Sequence, residues 1–291
     1  MKKTIALVLA ALMCMTAACA VPAEETEALA ETEIIVFAAK SLNTVMDESI
    51  IPAFNELQPN VKITPSYDSS GTLMTQIEEG ASCDVFFSAA QKQMNELEEK
   101  GLVAAGTRAD IVNNQVCVVT WAGSGTKVTG LANIADASSL ALADGSVPVG
   151  KYTRQAMVNA GMIEAPEDGD VSKITTQEIS DALGGIEINE CANVGAVAAA
   201  VSEAANEVGT TYYSDTYGLE GRLQIIEKVP YDLSGDVIYP AAVIANPEAD
   251  ELQAAAAAQF VSFLTSDTAK EIFDSYYFDT NLGNEEETEA E

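Results

Sequence analysis

Val36-Phe37-Ala38-Ala39-Lys40-Ser41-Leu42 ends an apolar run that begins at Ile34 and turns directly into a segment with helical spacing. Ile34 to Ala39 is short and continuously apolar, the pattern of a strand buried on both faces. From Ser41 to Leu57, the residues Leu42, Val45, Met46, Ile50, Phe54 and Leu57 recur at helical spacing, and Pro52 within this run predicts a kink. Tyr67-Asp68-Ser69-Ser70-Gly71-Thr72-Leu73 repeats the arrangement. There, Val61 to Tyr67 alternates as a strand, and Ser70 to Glu79 reads as a helix stopped by Gly80. Strand then helix, twice in succession, predicts an α/β fold with mostly parallel sheets.

Both junctions place serine where a helix begins. The first N–H groups of a helix lack intrahelical partners, and its N-terminus carries about half a positive charge. A serine there is either an N-cap or part of an anion site. Ligands collect at the C-terminal edge of such sheets, so two junctions in one lobe favour the anion reading.

Working outward, Asp84–Ser88 and Val116–Trp121 read as strands, with a helix from Gln91 to Lys100 between them. A second block follows: a strand at Leu140–Ala143, then helices at Lys151–Ala160 and Thr176–Leu183. Asn193 caps an Ala-rich helix with Val194, Val197, Val201 and Val208 on one side, and Thr210–Ser214 reads as a strand. Val237–Ala245 is strand-like despite Pro240, and helices at Asp250–Leu264 and Asp267–Phe273 close the chain.

At 291 residues the chain exceeds the size at which one core stops growing, so two lobes are expected. With 48% hydrophobic and 20% charged residues, wholesale disorder is excluded. The 14 Lys plus Arg against 45 Asp plus Glu, a net charge of -31, argue against nucleic acid and against docking on anionic lipid. Absence of His removes Ser-His-Asp and Cys-His catalysis and histidine metal sites.

Lys2-Lys3 followed by apolar Thr4–Met13 reads as a signal peptide over residues 1–18. Thr16-Ala17-Ala18-Cys19 looks like a lipobox that would leave Cys19 lipidated, and Ala18-Cys19-Ala20 also fits an ordinary cleavage site. Residues 19–32 form an acidic tether and 284–291 an acidic tail. The mature chain is expected to be exported and soluble, lipid-anchored at the outer face of the cell membrane, otherwise periplasmic or secreted. Cys83, Cys117 and Cys191 match no metal spacing and read as buried free thiols, with one disulfide as the alternative.

From about Ile34 to Phe278 the chain resembles the molybdate-binding proteins of ABC importers, a family of exported two-lobe solute receptors. The resemblance rests on Val36–Leu42, on Ser69–Leu73 followed by Gln76–Ala81, and on Asp84–Ala89. It continues through Val147-Pro148-Val149-Gly150-Lys151-Tyr152, Asn193-Val194, Gly209–Asp215 and Tyr239–Val243. It implies a two-lobe, type II periplasmic-binding-protein-like fold. Lobe I would be residues 33–116 and 237–283, and lobe II residues 117–236, with a hinge near Gln115–Val119 and Ser234–Tyr239.

The resemblance also implies a ligand set: the hydroxyls of Ser41, Ser70 and Tyr212 and the backbone N–H groups of Val149 and Val194. All five can donate to a fully ionised tetrahedral oxyanion, molybdate or tungstate, with no cofactor or resident metal. Ser69 should be dispensable for binding. Tyr213, next to Tyr212 in a strand, should face the opposite way, toward the core. Trp121, Asp215 and Tyr239 read as packing or hinge residues.

Several positions depart from the family pattern. Lys40 stands where a small residue is usual and is either a solvated neighbour or a charge at the cleft. Asp68 should face away from an anion, and Val149 replaces a usual alanine. The stretch from Val171 to Ile188 has no assigned role.

The expected protein is therefore not an enzyme but a monomeric receptor that delivers its anion to a membrane permease served by an ATPase. A receptor for sulfate or phosphate is the alternative. More remote are an exported enzyme using Asp84 and Asp215, and a structural surface lipoprotein. With no His, affinity should stay flat between about pH 6 and 8.

Overall fold

The computed structural model describes residues 28–282. The signal peptide, Cys19, most of the tether and the acidic tail lie outside the described residues. Two five-stranded sheets, each flanked by helices, build two lobes.

The first sheet contains β1 (Thr32–Ala39), β2 (Val61–Asp68), β3 (Val85–Phe87) and β4 (Ala109–Val112). The second contains β5 (Val116–Trp121), β6 (Ser139–Ala143), β7 (Glu187–Cys191), β8 (Val208–Tyr212) and β9 (Leu223–Lys228). β10 (Tyr239–Val243) returns to the first sheet, giving the orders β2-β1-β3-β10-β4 and β7-β6-β8-β5-β9. β1 is parallel to β2 and β3, whereas β10 is antiparallel to β3 and β4. In the second sheet β6 is parallel to β7 and β8, and β5 is antiparallel to β8 and β9. Each sheet thus has one reversed strand, and it is the strand that the chain enters from the other lobe.

The chain crosses between sheets at 113–115 and 229–238, and Val116–Val119 lie in β5 of the second sheet. The crossings are tied together. Asn114 N–H donates to Val237 O, and Asn113 Oδ1 accepts from Val237 N–H at 2.8 Å.

After β1 the chain runs through a 3-10 turn at Lys40–Leu42, α1 (Asn43–Val45), a π-helical turn at Met46–Ile50 and α2 (Ile51–Leu57). Pro52 falls in the first turn of α2, where its missing N–H is tolerated, and the irregularity lies in the π turn just before it. The remaining helices are α3 (Ser70–Glu78), α4 (Gln91–Glu99), α5 (Pro148–Asn159), α6 (Thr176–Ala182), α7 (Val194–Ser202), α8 (Tyr231–Ser234), α9 (Glu251–Leu264) and α10 (Asp267–Ser275).

Alternation along β1 explains how the first sheet is covered. Val36 and Ala38 join the main core with Phe54, Phe260, Phe263 and Phe273, while Phe37 joins Leu73, Ile77, Met94 and Leu97 on the other face. Phe54 meets Phe260 edge-on at 5.1 Å, a contact worth about 0.5–1.5 kcal/mol beyond burial.

Some expected boundaries move. The Ala-rich helix ends at Ser202, and Val208 opens β8 instead of continuing the helix. β8 ends at Tyr212, so Tyr213 has left the strand and is half-buried, not a core residue. Glu187–Cys191 supplies the edge strand β7, which gives the Val171–Ile188 stretch a structural role leading into it. Cys83, Cys117 and Cys191 are free and buried, and burial pushes the Cys83 and Cys117 thiols up to about 12.

Candidate functional site

Parallel strands end together, so their following loops share one edge. Ala39 of β1 pairs with Asp68 of β2, and Ala143 of β6 with Cys191 of β7. The 3-10 turn and α3 therefore start side by side on one sheet, and α5 and α7 start side by side on the other. These starts face one cavity lined by Lys40, Ser41, Ser70, Val149, Val194 and Tyr212, with Ala39, Ser69, Ala89, Val147 and Pro148. All five sequence-predicted ligand residues meet there.

Of the junction serines, only Ser69 acts as a helix cap. Ser69 is the N-cap of α3: its Oγ accepts from Thr72 N–H at 3.2 Å. Ser70 is the first helical residue, and its Oγ accepts from Ala89 N–H at 2.9 Å, which leaves the Ser70 proton free for another acceptor. Ser41 caps nothing, since no side chain caps the 3-10 turn.

Ser41 is tied into a hydrogen-bond network. Asn114 Oδ1 accepts from Gln115 N–H at 2.9 Å, so its amide nitrogen faces Ser214 Oγ at 2.8 Å and Tyr239 Oη at 3.1 Å. The Tyr239 hydroxyl, which accepts from Asn114, shares a hydrogen bond with Ser41 Oγ 2.9 Å away, and either hydroxyl can donate. With Tyr239 as the donor, Ser41 keeps its own proton for the cavity. Tyr239 thus orients a site residue, a role that its apolar strand context concealed.

In the second lobe, Pro148 has no N–H, so Val149 carries the first backbone donor of α5. Asn193 caps α7 through Ala196 N–H at 2.9 Å and leaves the Val194 N–H unused by the cap. Gly150 permits this geometry, because a Cβ there would overlap the carbonyl oxygens of Ala143 and Asp144. Tyr212 is 1% exposed, and its hydroxyl has no partner among the described residues. Burial, then the nearby Tyr239, push it well above the usual tyrosine range, so it stays protonated and a donor.

Charge enters from behind and beside the cavity. Arg154, which sequence reading missed, is fully buried one turn along α5 and donates to Ile174 O, Ala143 O and Gly150 O at 2.7–2.9 Å. Lys40 is half-buried, with Nζ 3.3 Å from Asn43 Oδ1 and its stem against Gly195 of α7. It lines both this cavity and an adjoining one that contains Asp215. Asp215 Oδ2 is buried without a partner among the described residues. Burial raises that carboxyl from 3.8 to about 7, against the pull of Tyr212 N–H, the Thr211 hydroxyl and Lys40. Asp68 folds back to accept from Ser69 N–H at 2.7 Å and does not line the cavity. Asp84 lies elsewhere, bonded to Ile35 N–H and Gln253.

Two mixed sheets, two strand crossings and an interlobe cavity walled by helix starts define a two-lobe receptor for a small solute. The chain belongs to the bacterial extracellular solute-binding protein family, whose sequence profile matches residues 34–279. It is 29% identical to the molybdate-binding protein of Escherichia coli over 255 residues, 85% of this chain and 89% of that one. It is 25% identical over 265 residues to YvgL of Bacillus subtilis, whose name marks a candidate ABC transporter substrate-binding lipoprotein, covering 91% and 93% of the two chains. The periplasmic molybdate-binding protein of Azotobacter vinelandii shares the fold with a TM-score of 0.67 at 21% identity, over 84% of this chain and 98% of that one.

Proposed function

We propose that this protein captures molybdate or tungstate between its lobes and delivers it to the permease of an ABC importer. One observation carries the reading: the cavity is faced by hydroxyls with protons to give. Ser70 Oγ accepts from Ala89 N–H and keeps its proton, the Tyr212 hydroxyl has no partner among the described residues, and Ser41 shares its hydrogen bond with Tyr239. A fully ionised dianion only accepts hydrogen bonds, so such a cavity suits it. Phosphate keeps a proton near neutral pH and needs an acceptor, and none of the described lining residues is Asp or Glu. The reading assigns Ser41, Ser70, Val149, Val194 and Tyr212 as ligands and gives the chain no catalytic role. It takes 33–116 with 237–283 as one moving unit and 117–236 as the other, in a monomer.

A thermal-shift panel of molybdate, tungstate, sulfate, phosphate and chromate tests this. A specific ligand at about 100 times its dissociation constant adds about 2.7 kcal/mol to stability. Molybdate and tungstate should shift the melt far more than sulfate, whose smaller oxyanion cannot reach every donor at once. An equal response to sulfate and molybdate refutes the ranking. We further propose export and anchoring through Cys19, supported by the lipobox and the lipoprotein relative. Mass spectrometry of the membrane fraction should find acylated Cys19 as the first residue, whereas a soluble form starting at Val21 rules the anchor out.

A further inference from the structure

Four tyrosines meet across the lobe boundary, away from the five proposed ligand groups. Tyr213 and Tyr217 follow β8 in the second lobe. Tyr276 and Tyr277 follow α10, which is fixed to the first lobe through Phe273 against Phe87 at 6.0 Å. The rings of Tyr213 and Tyr277 stack with centroids 4.7 Å apart and planes within 7°. Tyr217 packs on Tyr276 at 4.3 Å and edge-on to Tyr277 at 5.5 Å. Lys228 Nζ lies 3.2 Å from the Tyr213 ring centroid, and because the stack occupies one face, the cation covers the other. Tyr277 also donates its hydroxyl to Glu220 Oε1 at 3.1 Å, a second bond across the boundary.

Tyr277 holds this place in a conformation that suits glycine. α10 ends in a Schellman motif: Phe278 N–H donates to Phe273 O, Tyr277 N–H to Asp274 O, and the Phe273 and Phe278 rings touch at 5.7 Å. The residue between must be left-handed, and Tyr277 has φ 67. A Cβ is penalised there, so a tyrosine in this position carries strain that glycine would not. The contacts that offset the strain are those with the other lobe.

We propose that Tyr277 is a positioning residue for anion capture: its ring, stacked on Tyr213, favours the closed arrangement of the lobes and steadies Tyr212, the neighbouring residue that faces the anion. The inference rests on the oxyanion reading above and adds a residue outside the ligand set. Tyr213 N–H donates to Gln115 O and Asp279 pairs with Asn113, so the stack spans the lobes beside the first crossing. An opening rotation there would shear one ring against the other, so the stack favours the arrangement seen here.

Tyr277→Gly and Tyr277→Phe, measured beside the parent protein, test this. Calorimetric titration with sodium molybdate reads affinity, thermal unfolding without anion reads stability, and small-angle X-ray scattering reads lobe separation. Tyr277→Gly relieves the strain, so it should melt no earlier than the parent, yet bind molybdate roughly 3- to 10-fold more weakly through faster release. Its radius of gyration without anion should exceed the parent's. Tyr277→Phe keeps the stack and should bind within about twofold of the parent. A glycine variant that binds like the parent overturns the proposal. So does one whose lost affinity is matched by an earlier melt, since that marks an ordinary packing residue. If the parent itself ignores molybdate and tungstate, the oxyanion reading fails, and the scattering comparison still decides the clasp: equal radii reject it.

Discussion

The hydroxyl of Ser41, in the turn that follows β1, lies 2.9 Å from that of Tyr239, at the start of β10, although 198 residues separate them in sequence. Both strands belong to the first sheet, and Asn114 at the first crossing donates to Tyr239 at 3.1 Å and also to Ser214 of the other lobe. A proposed ligand group is therefore oriented by the chain segments about which the lobes would move. Tyr239→Phe should weaken molybdate binding by roughly 2- to 13-fold, the effect of one hydrogen bond of about 0.5–1.5 kcal/mol. Asn114 keeps its Ser214 partner, so the apo melt should drop only slightly. Calorimetric titration and a thermal melt of this variant check both statements.

Ser41→Ala and Ser70→Ala each remove a proposed donor to the anion. Such a donor contributes about 1.5–3 kcal/mol, so binding should weaken roughly 10- to 150-fold in titrations against molybdate. Ser69→Ala behaves differently because Ser69 is the N-cap of α3. It should lower stability by about 1 kcal/mol in denaturant titration and leave affinity nearly unchanged. If Ser69 proves as important for affinity as Ser70, the anion has been placed wrongly.

Asp215 supplies the titrating group that the lack of histidine concealed. Its folded pKa is raised from 3.8 to about 7, so the native state holds a proton that the unfolded chain releases. Its stabilising contribution is complete below about 3.8 and is lost as pH rises through about 7. Melting temperature should fall across this window, and Asp215→Asn should flatten the fall. Because Asp215 lines the cavity adjoining the proposed anion site, its ionised form would also repel an oxyanion. Affinity should thus decline as pH rises through about 7, in place of the flat profile expected from composition. A flat profile in the parent would exclude Asp215 from any influence on binding.

Gly150 is required by a close approach of backbone rather than by a turn. In Gly150→Ala, the new Cβ meets the Ala143 and Asp144 carbonyls and must displace the start of α5. Overpacking of this kind costs about 1–3 kcal/mol, and moving the Val149 N–H should cost affinity as well. Denaturant titration and molybdate titration should show both losses together.

Local patterning in the chain determined the elements and much of the site. The period-two and helical spacings around Ser41 and Ser70 depend only on which side chains must leave water, so β1, β2, α3 and the serine junctions were legible. Pro148-Val149 and Asn193-Val194 entered the proposed ligand set only through the family resemblance, and the structure puts both valines at helix starts, after a residue without an N–H and after a cap. Edge strand β7, with Glu187 and Glu190 exposed, carries no apolar signature and escaped notice, as did β9. What only the tertiary structure decided are the long-range relationships. These are the Tyr239–Asn114 network that holds the Ser41 hydroxyl, the burial of Arg154, and the raised carboxyl of Asp215 beside Lys40. The Tyr277–Tyr213 stack belongs with them. They depend on desolvation, hydrogen bonding or ring packing between segments that only the fold brings together, and periodicity contains no information about these.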